Sequence, residues 1–283
     1  MLIEFIIIKI IYEILLYFSL YLIIYLSMGF EYIFSGFVVG ILVGLTGVGG
    51  GSLMTPLLVL VFKFPPAIAV GTDLLYAAIT KSFGVINHNK RGHINWKIVG
   101  YLMLGSIPAS FLMNLYIQDI DINAKETADF LELWLGIALI FTSVAVLSQP
   151  LIQSKSKKNE LHINKNPKFI TIVLGLLLGS MVTLTSVGAG AMGITALLLI
   201  YPKMKIKNII GTDIAHAVPL TLFAGLGHYQ MGNVDSILLI SLLVGSIPGV
   251  WIGSNLSSKI NENKLRYILV IILLGVGAEL ILN

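Results

Sequence analysis

Two acidic residues lie where acids are expensive. Asp73 and Asp213 each close a Gly-Thr-Asp triplet inside a long apolar stretch. A carboxylate deep in a membrane span is disfavoured by roughly 2.5–3.5 kcal/mol, and such groups serve ion or proton pathways. A second reading is local: Asp can cap a helix by accepting backbone N–H groups. Tyr76 and His216 stand three residues beyond the two acids. Histidine titrates near neutrality and can relay protons, or it can be a satisfied structural residue. Lys81, eight residues after Asp73, can bind an anion, pair with Asp73, or snorkel to a nearby surface. Thr72 and Thr212 join these as candidates for coupling or gating.

The second chemical feature is backbone. Residues 46–52 read Thr46-Gly47-Val48-Gly49-Gly50-Gly51-Ser52, and residues 185–190 read Thr185-Ser186-Val187-Gly188-Ala189-Gly190. Gly disfavours a helix interior by roughly 0.8–1.0 kcal/mol relative to Ala, so each run predicts a break. Exposed amides at membrane depth are tolerated only where protein or a wet cavity satisfies them. Successive N–H groups form an anion-binding nest, and the next helix adds its N-terminal partial charge. The predicted substrate-binding set is therefore Thr46, Gly47, Gly49, Gly50, Gly51, Ser52 and Thr55 with Thr185, Ser186, Gly188, Gly190 and Thr195. The alternative is that the glycines serve close helix packing.

These groups need a scaffold, and composition defines it. The 283-residue chain is 57% hydrophobic and 11% charged, against about 25% charged in soluble domains. It reads as an all-α polytopic membrane protein. It has no Cys, which excludes disulfides and thiolate chemistry. No metal-ligand spacing or nucleophile motif is present, and no cofactor is expected. The +4 charge sits in loops and reads as topology, not as a nucleic-acid patch. Residues 5–26 read as an uncleaved first span, in which Lys9 and Glu13 either pair across one turn or leave Lys9 to snorkel.

Apolar segments follow at about 33–45, 53–62, 67–87, 98–115 and 130–147, and again at 169–184, 192–200, 209–228, 237–256 and 265–282. Thr55-Pro56 reads as an N-cap and first helical residue. The two shortest pairs either cross as tilted spans or form hairpins whose tips meet in the membrane. His88 and His228 are expected to close helix termini. The recurrence keeps one register but for a single inserted residue after the second glycine run: Gly71-Thr72-Asp73, His88, Gly92 and Gly105-Ser106-Ile107-Pro108 return 140 residues later, and Gly49 returns as Gly188 after 139. Duplication explains this.

Loop charges set orientation. Lys90, Arg91 and Lys97 mark one inter-segment loop as cytoplasmic, whereas its counterpart around 229–236 has no Lys or Arg. The copies therefore point in opposite directions. The expected organisation is an extra N-terminal helix at 1–30, a first repeat at 31–151, a cytoplasmic lysine-rich linker at 152–168, and an inverted repeat at 169–283.

The motifs G-L-T-G-V-G-G-G-S, A-V-G-T-D, H-N-K-R-G-H-I-N-W and L-G-S-I-P-A-S, echoed by S-V-G-A-G, G-T-D-I-A-H-A, G-H-Y-Q-M-G-N-V-D and G-S-I-P-G, resemble the TauE/SafE family. The resemblance implies secondary transport of small sulfur-containing anions such as sulfite or organosulfonates, generally outward. The expected partners are a small anion, a coupling proton or sodium ion, and the lipid bilayer. A passive anion channel is the alternative. An intramembrane enzyme lacks a nucleophile–base pair, and a scaffold would make the glycine runs packing devices.

Overall fold

The computed structural model describes residues 29–45, 51–118, 120, 124–157, 166–256 and 262–282. The described residues form helices joined by short turns and loops, without strands. The helices are α1 (Gly29–Leu45), α2 (Gly51–Pro56), α3 (Pro66–Lys90), α4 (Trp96–Gln118), α5 (Lys125–Lys157), α6 (Pro167–Thr185), α7 (Ala191–Ile200), α8 (Ile206–Gln230), α9 (Ser236–Leu256) and α10 (Glu262–Leu282). Six are long and apolar enough to cross a membrane. Leu104, Trp251 and Ile271 are among the large apolar side chains left exposed, as a lipid-facing surface requires. The predicted span at 5–26, with Lys9 and Glu13, lies outside the described residues, as do Thr46, Gly47, Gly49 and Gly50.

Local sequence sets the helix ends. Pro66 and Pro167 occupy the first turns of α3 and α6, where a missing N–H does no harm. Asn95 and Asp235 open α4 and α9; Asp235 Oδ1 accepts the amides of Ile237 and Leu238 at 2.9 and 3.0 Å. Gly92 and Gly232 leave α3 and α8 at φ 65° and 78°, a region that favours glycine. The expected N-cap role of Thr55 is corrected. Helix α2 begins at Gly51 and Pro56 lies inside it. A π-helical turn, Leu57–Val61, follows at once, as the chain widens past a residue that cannot donate a hydrogen bond.

The short segments form hairpins. Tyr32 at the start of α1 packs on Phe62 and Phe64 beyond α2, with ring centroids 5.1 and 5.8 Å apart. Thr171 at the start of α6 hydrogen-bonds Tyr201 after α7 at 2.8 Å. Each pair thus begins and finishes at one end of the molecule.

Each hairpin's long arm lies on a helix of the other half of the sequence. Gly36, Gly40 and Gly44 of α1 press onto the backbone of α9 near Leu242, Ser246 and Val250, and α9 answers with Gly245, Gly249 and Gly253. Gly175 and Gly179 of α6 do the same to α4 near Leu102 and Ser106, and Gly105 faces back onto α6. A Cβ at any of these would strike backbone, so glycine here permits close approach.

The centre is α3 beside α8. The amide of Asn95, past the end of α3, donates to Thr212 Oγ1 near the start of α8 at 3.0 Å. The amide of Asp235, past the end of α8, donates to Thr72 Oγ1 at 3.1 Å. The helices therefore run in opposite directions. Gly71 meets the Asn233 carbonyl and Gly211 meets that of His93. Outside them α5 packs on α10, with Gly136 against Gly277.

Candidate functional site

Both acids are fully buried, each seven residues past the first residue of its helix, Pro66 or Ile206. The helices start at Pro66 and Ile206, so neither acid is a cap. By a rise of 1.5 Å per residue each sits about 10 Å from its helix start. Because α3 and α8 are antiparallel, the acids lie at different depths.

Around Asp73, Thr55 of α2 donates its hydroxyl to Oδ2 at 2.5 Å. The other oxygen, Oδ1, is buried without a partner. Ser186 comes near enough to act on this carboxylate, although its hydroxyl makes no hydrogen bond. Tyr76, one turn on, is buried near Ser246 of α9, and its hydroxyl makes no hydrogen bond.

Around Asp213 the arrangement is parallel but barer. Both carboxylate oxygens are buried without partners. The neighbour on α7 is Gly193, where a Cβ would fall on Asp213 Oδ1. His216 Nε2 lies 2.8 Å from Ser106 Oγ of α4, and its Nδ1 is free. Residues 76 and 216 are 140 apart, as are 106 and 246, so the Tyr76–Ser246 and His216–Ser106 pairs occupy equivalent positions in the two halves.

Between the acids runs the second glycine loop. Helix α6 ends at Thr185, Ser186 adopts a left-handed conformation at φ 59°, and Gly188 and Gly190 stand at φ 127° and 132° before α7 begins. Glycine is required at these two because L side chains rarely adopt such angles. Thr185 braces the turn, donating to Met181 O at 2.7 Å and accepting the Val187 amide at 3.1 Å. The loop is buried along its length. Irregular backbone at this depth occurs where it lines a protein cavity. Among the described residues the amides of Ala191 and Met192, opening α7, make no backbone hydrogen bond.

Lys81 spans the centre. Its ammonium donates to the Ala189 carbonyl at 2.9 Å and lies within electrostatic range of both Asp213 and Asp73. Ser186 near Asp73, Ala189 at Lys81 and Gly193 at Asp213 make the loop a strip against which all three charges are set. Lys81 thus turns inward to the loop.

Other predicted residues fall elsewhere. Thr195 turns from Asp213 to α5: it donates to Ala191 O at 2.7 Å and accepts Gln149 Nε2 at 3.2 Å. Thr72 and Thr212 hold the opposite half's loop amides, as described. Gly51 opens α2, and Ser52 is buried with a free hydroxyl beside an apolar cavity of about 370 Å³. His228 bonds the Thr183 carbonyl of α6 at 3.0 Å, not its own helix end, and His88 faces His93 with ring centroids 5.7 Å apart. Sequence reasoning missed Ser106, Ser246 and Gln149. The repeated Gly-Ser-Ile-Pro carried a signal for the serines, and a Gln inside an apolar span carried one for Gln149. No cluster of three metal-ligating side chains occurs among the described residues.

Known proteins share this chain over nearly its whole length. The family model described as sulfite exporter TauE/SafE matches residues 32–280. The probable membrane transporter protein YjnA of Bacillus subtilis (strain 168) is 40% identical over 90% of this chain and 100% of its own. YdhB of the same organism, also described as a probable membrane transporter protein, is 26% identical over 81% of this chain and 91% of its own. A probable membrane transporter protein of Methanocaldococcus jannaschii is 28% identical over 88% and 94%. No solved structure matches. Spanning helices, a buried charged centre and this match lead to one conclusion: the chain is a multi-pass membrane protein and belongs to the TauE/SafE family of membrane transporters.

Proposed function

We propose that this protein is a secondary transporter of small oxyanions, most suitably sulfur-containing ones such as sulfite or an organosulfonate, working by alternating access with proton or sodium coupling. The observation that carries this reading is the buried strip at 186–193, where a lysine and two carboxylates with free oxygens meet irregular backbone. The family description, sulfite exporter, supports the sulfur class and the outward direction.

The chemistry follows from charge. Lys81 and the opening amides of α7 attract an oxyanion. Asp73 and Asp213 repel it while ionised. A proton or sodium ion on either carboxylate removes that repulsion, so anion and cation bind together. Anion affinity then rises as pH falls wherever the proton is the partner. The halves supply the motion: 31–151 and 169–283 act as inverted repeats, with the N-terminal segment and the linker outside them. Equal-offset contacts between antiparallel α3 and α8 support that relation. Exchange of the two hairpins' positions around the centre would open alternate sides.

Purified protein in liposomes tests the proposal. Saturable uptake of labelled sulfite, taurine or thiosulfate, driven by a pH or sodium gradient, is the expected result; no such flux for any of them would overturn it. Lys81→Met should weaken uptake by about 10–100-fold, the equivalent of about 1.5–3 kcal/mol for a charged hydrogen bond. The channel reading predicts that Asp73→Asn with Asp213→Asn leaves downhill flux intact. The transporter reading predicts loss of gradient-driven accumulation.

A further inference from the structure

Away from this centre, a cavity of about 520 Å³ opens at the end where α4 and α6 begin and α7 finishes. Lys97 from the first turn of α4, Lys168 from the first turn of α6 and Lys203 from the turn between α7 and α8 line it. All three are exposed and, among the described residues, none has a carboxylate partner. Lys168 Nζ lies 5.9 Å from the centre of the Tyr101 ring, and Tyr201 stands on the other wall, tied to Thr171. The remaining wall is largely apolar, Ile98 among it. On the same helix as Lys168, Phe169 and Val173 face outward to lipid.

We propose that this cavity binds the phosphate headgroup of an anionic phospholipid. Lysine-rich loops place this end at the cytoplasmic surface, where anionic lipid lies. Three unpaired ammonium groups around one mouth suit a phosphodiester. A free inorganic ion would be too small to use the apolar wall, whereas the glycerol and upper acyl chains of a lipid fill it and continue onto the exposed face of α6. Tyrosines at the mouth match the interfacial placement of such rings. A lipid seated there bridges α4 to the open end of the α6–α7 hairpin, and so bears on the hairpin that carries the central loop. The inference does not depend on which anion is transported.

Thermal unfolding of the purified full chain in neutral detergent tests it. Added phosphatidylglycerol or cardiolipin should raise Tm by roughly 5 °C at a hundred-fold excess over Kd, and phosphatidylcholine should not. Lys97→Gln with Lys168→Gln and Lys203→Gln should abolish the shift. Lys63→Gln with Lys90→Gln and Lys125→Gln, which removes the same charge elsewhere, should keep it. If the first triple variant fails to fold, each single variant should reduce the shift at least about threefold. Persistence of the full shift in those variants overturns the proposal. So does an equal shift from inorganic phosphate at the lipid's concentration, which would make the site one for soluble anions.

Discussion

The two halves build the same acid centre and finish it differently. In the first, Thr55 satisfies one oxygen of Asp73; in the second, Asp213 faces Gly193 and has no hydrogen-bond partner. Tyr76 in the first becomes His216 in the second, and only the histidine closes a hydrogen bond to the opposite serine. Sequence explains part of the difference. Helix α2 carries Pro56 and widens into a π turn, whereas α7 carries Ala196 there and stays α-helical, with Thr195 bonded back to Ala191. A duplicated scaffold thus holds one anchored carboxylate and one bare one. On the proposed mechanism the bare one would take up and release the ion, because no internal hydrogen bond competes for it.

The largest effects should separate the acids. Asp213→Asn should lower gradient-driven uptake by about 10–100-fold, the loss of a charged interaction of about 1.5–3 kcal/mol. It should also raise Tm, since a buried carboxylate without a hydrogen-bond donor is removed. Asp73→Ala should lower uptake and lower Tm together, because it strands the Thr55 hydroxyl. Matching Tm shifts of the same sign in the two variants would break the comparison.

Next comes Gly193→Ala. Its Cβ would displace the Asp213 carboxyl, destabilising the fold by up to about 3 kcal/mol, as overpacking does. Leu53→Ala at the equivalent position should leave Asp73 in place and coupling intact, as read by the pH dependence of uptake. A third pair is hydroxyl against hydroxyl. Thr55→Val should cost about 2 kcal/mol in denaturant unfolding, for a bond to a charged group, while Thr195→Val costs about 1 kcal/mol and leaves coupling unchanged. The smallest contrast lies on α4 and α9. Ser106→Ala should destabilise by about 1 kcal/mol through the lost His216 bond, and Ser246→Ala by less than about 0.5 kcal/mol, since Tyr76 makes none.

Much of this was written in local chemistry. Apolar length, Pro66 and Pro167 at helix starts, and glycine at 92 and 232 fix where helices begin and end, because those are properties of a few neighbouring residues. The 140-residue recurrence fixes which positions correspond. It also made Asp73, Asp213 and Lys81 visible, since charge in an apolar run stands out without any structure. Local signals failed where a partner lies far along the chain. Thr55-Pro56 has the form of a helix start, yet Thr55 is used by an acid 18 residues away. Thr195 repeats Thr55 in sequence but is drawn to Gln149, 46 residues distant. His228 serves a carbonyl of α6 and not its own helix.

The sequence by itself determined a membrane-embedded helical chain with two matching halves, buried acids and a glycine-rich break at 185–190. Hydrophobic length and backbone propensity act over a few residues and need no fold to be read. Only the tertiary structure decided that the short segments return as hairpins, that each lies on a helix of the other half, and that Lys81 meets the loop at Ala189 between two acids at different depths. Those are contacts between residues far beyond one helix turn apart, from 30 for Thr171 and Tyr201 to 108 for Lys81 and Ala189, and side-chain direction there is set by the helices packed against each other.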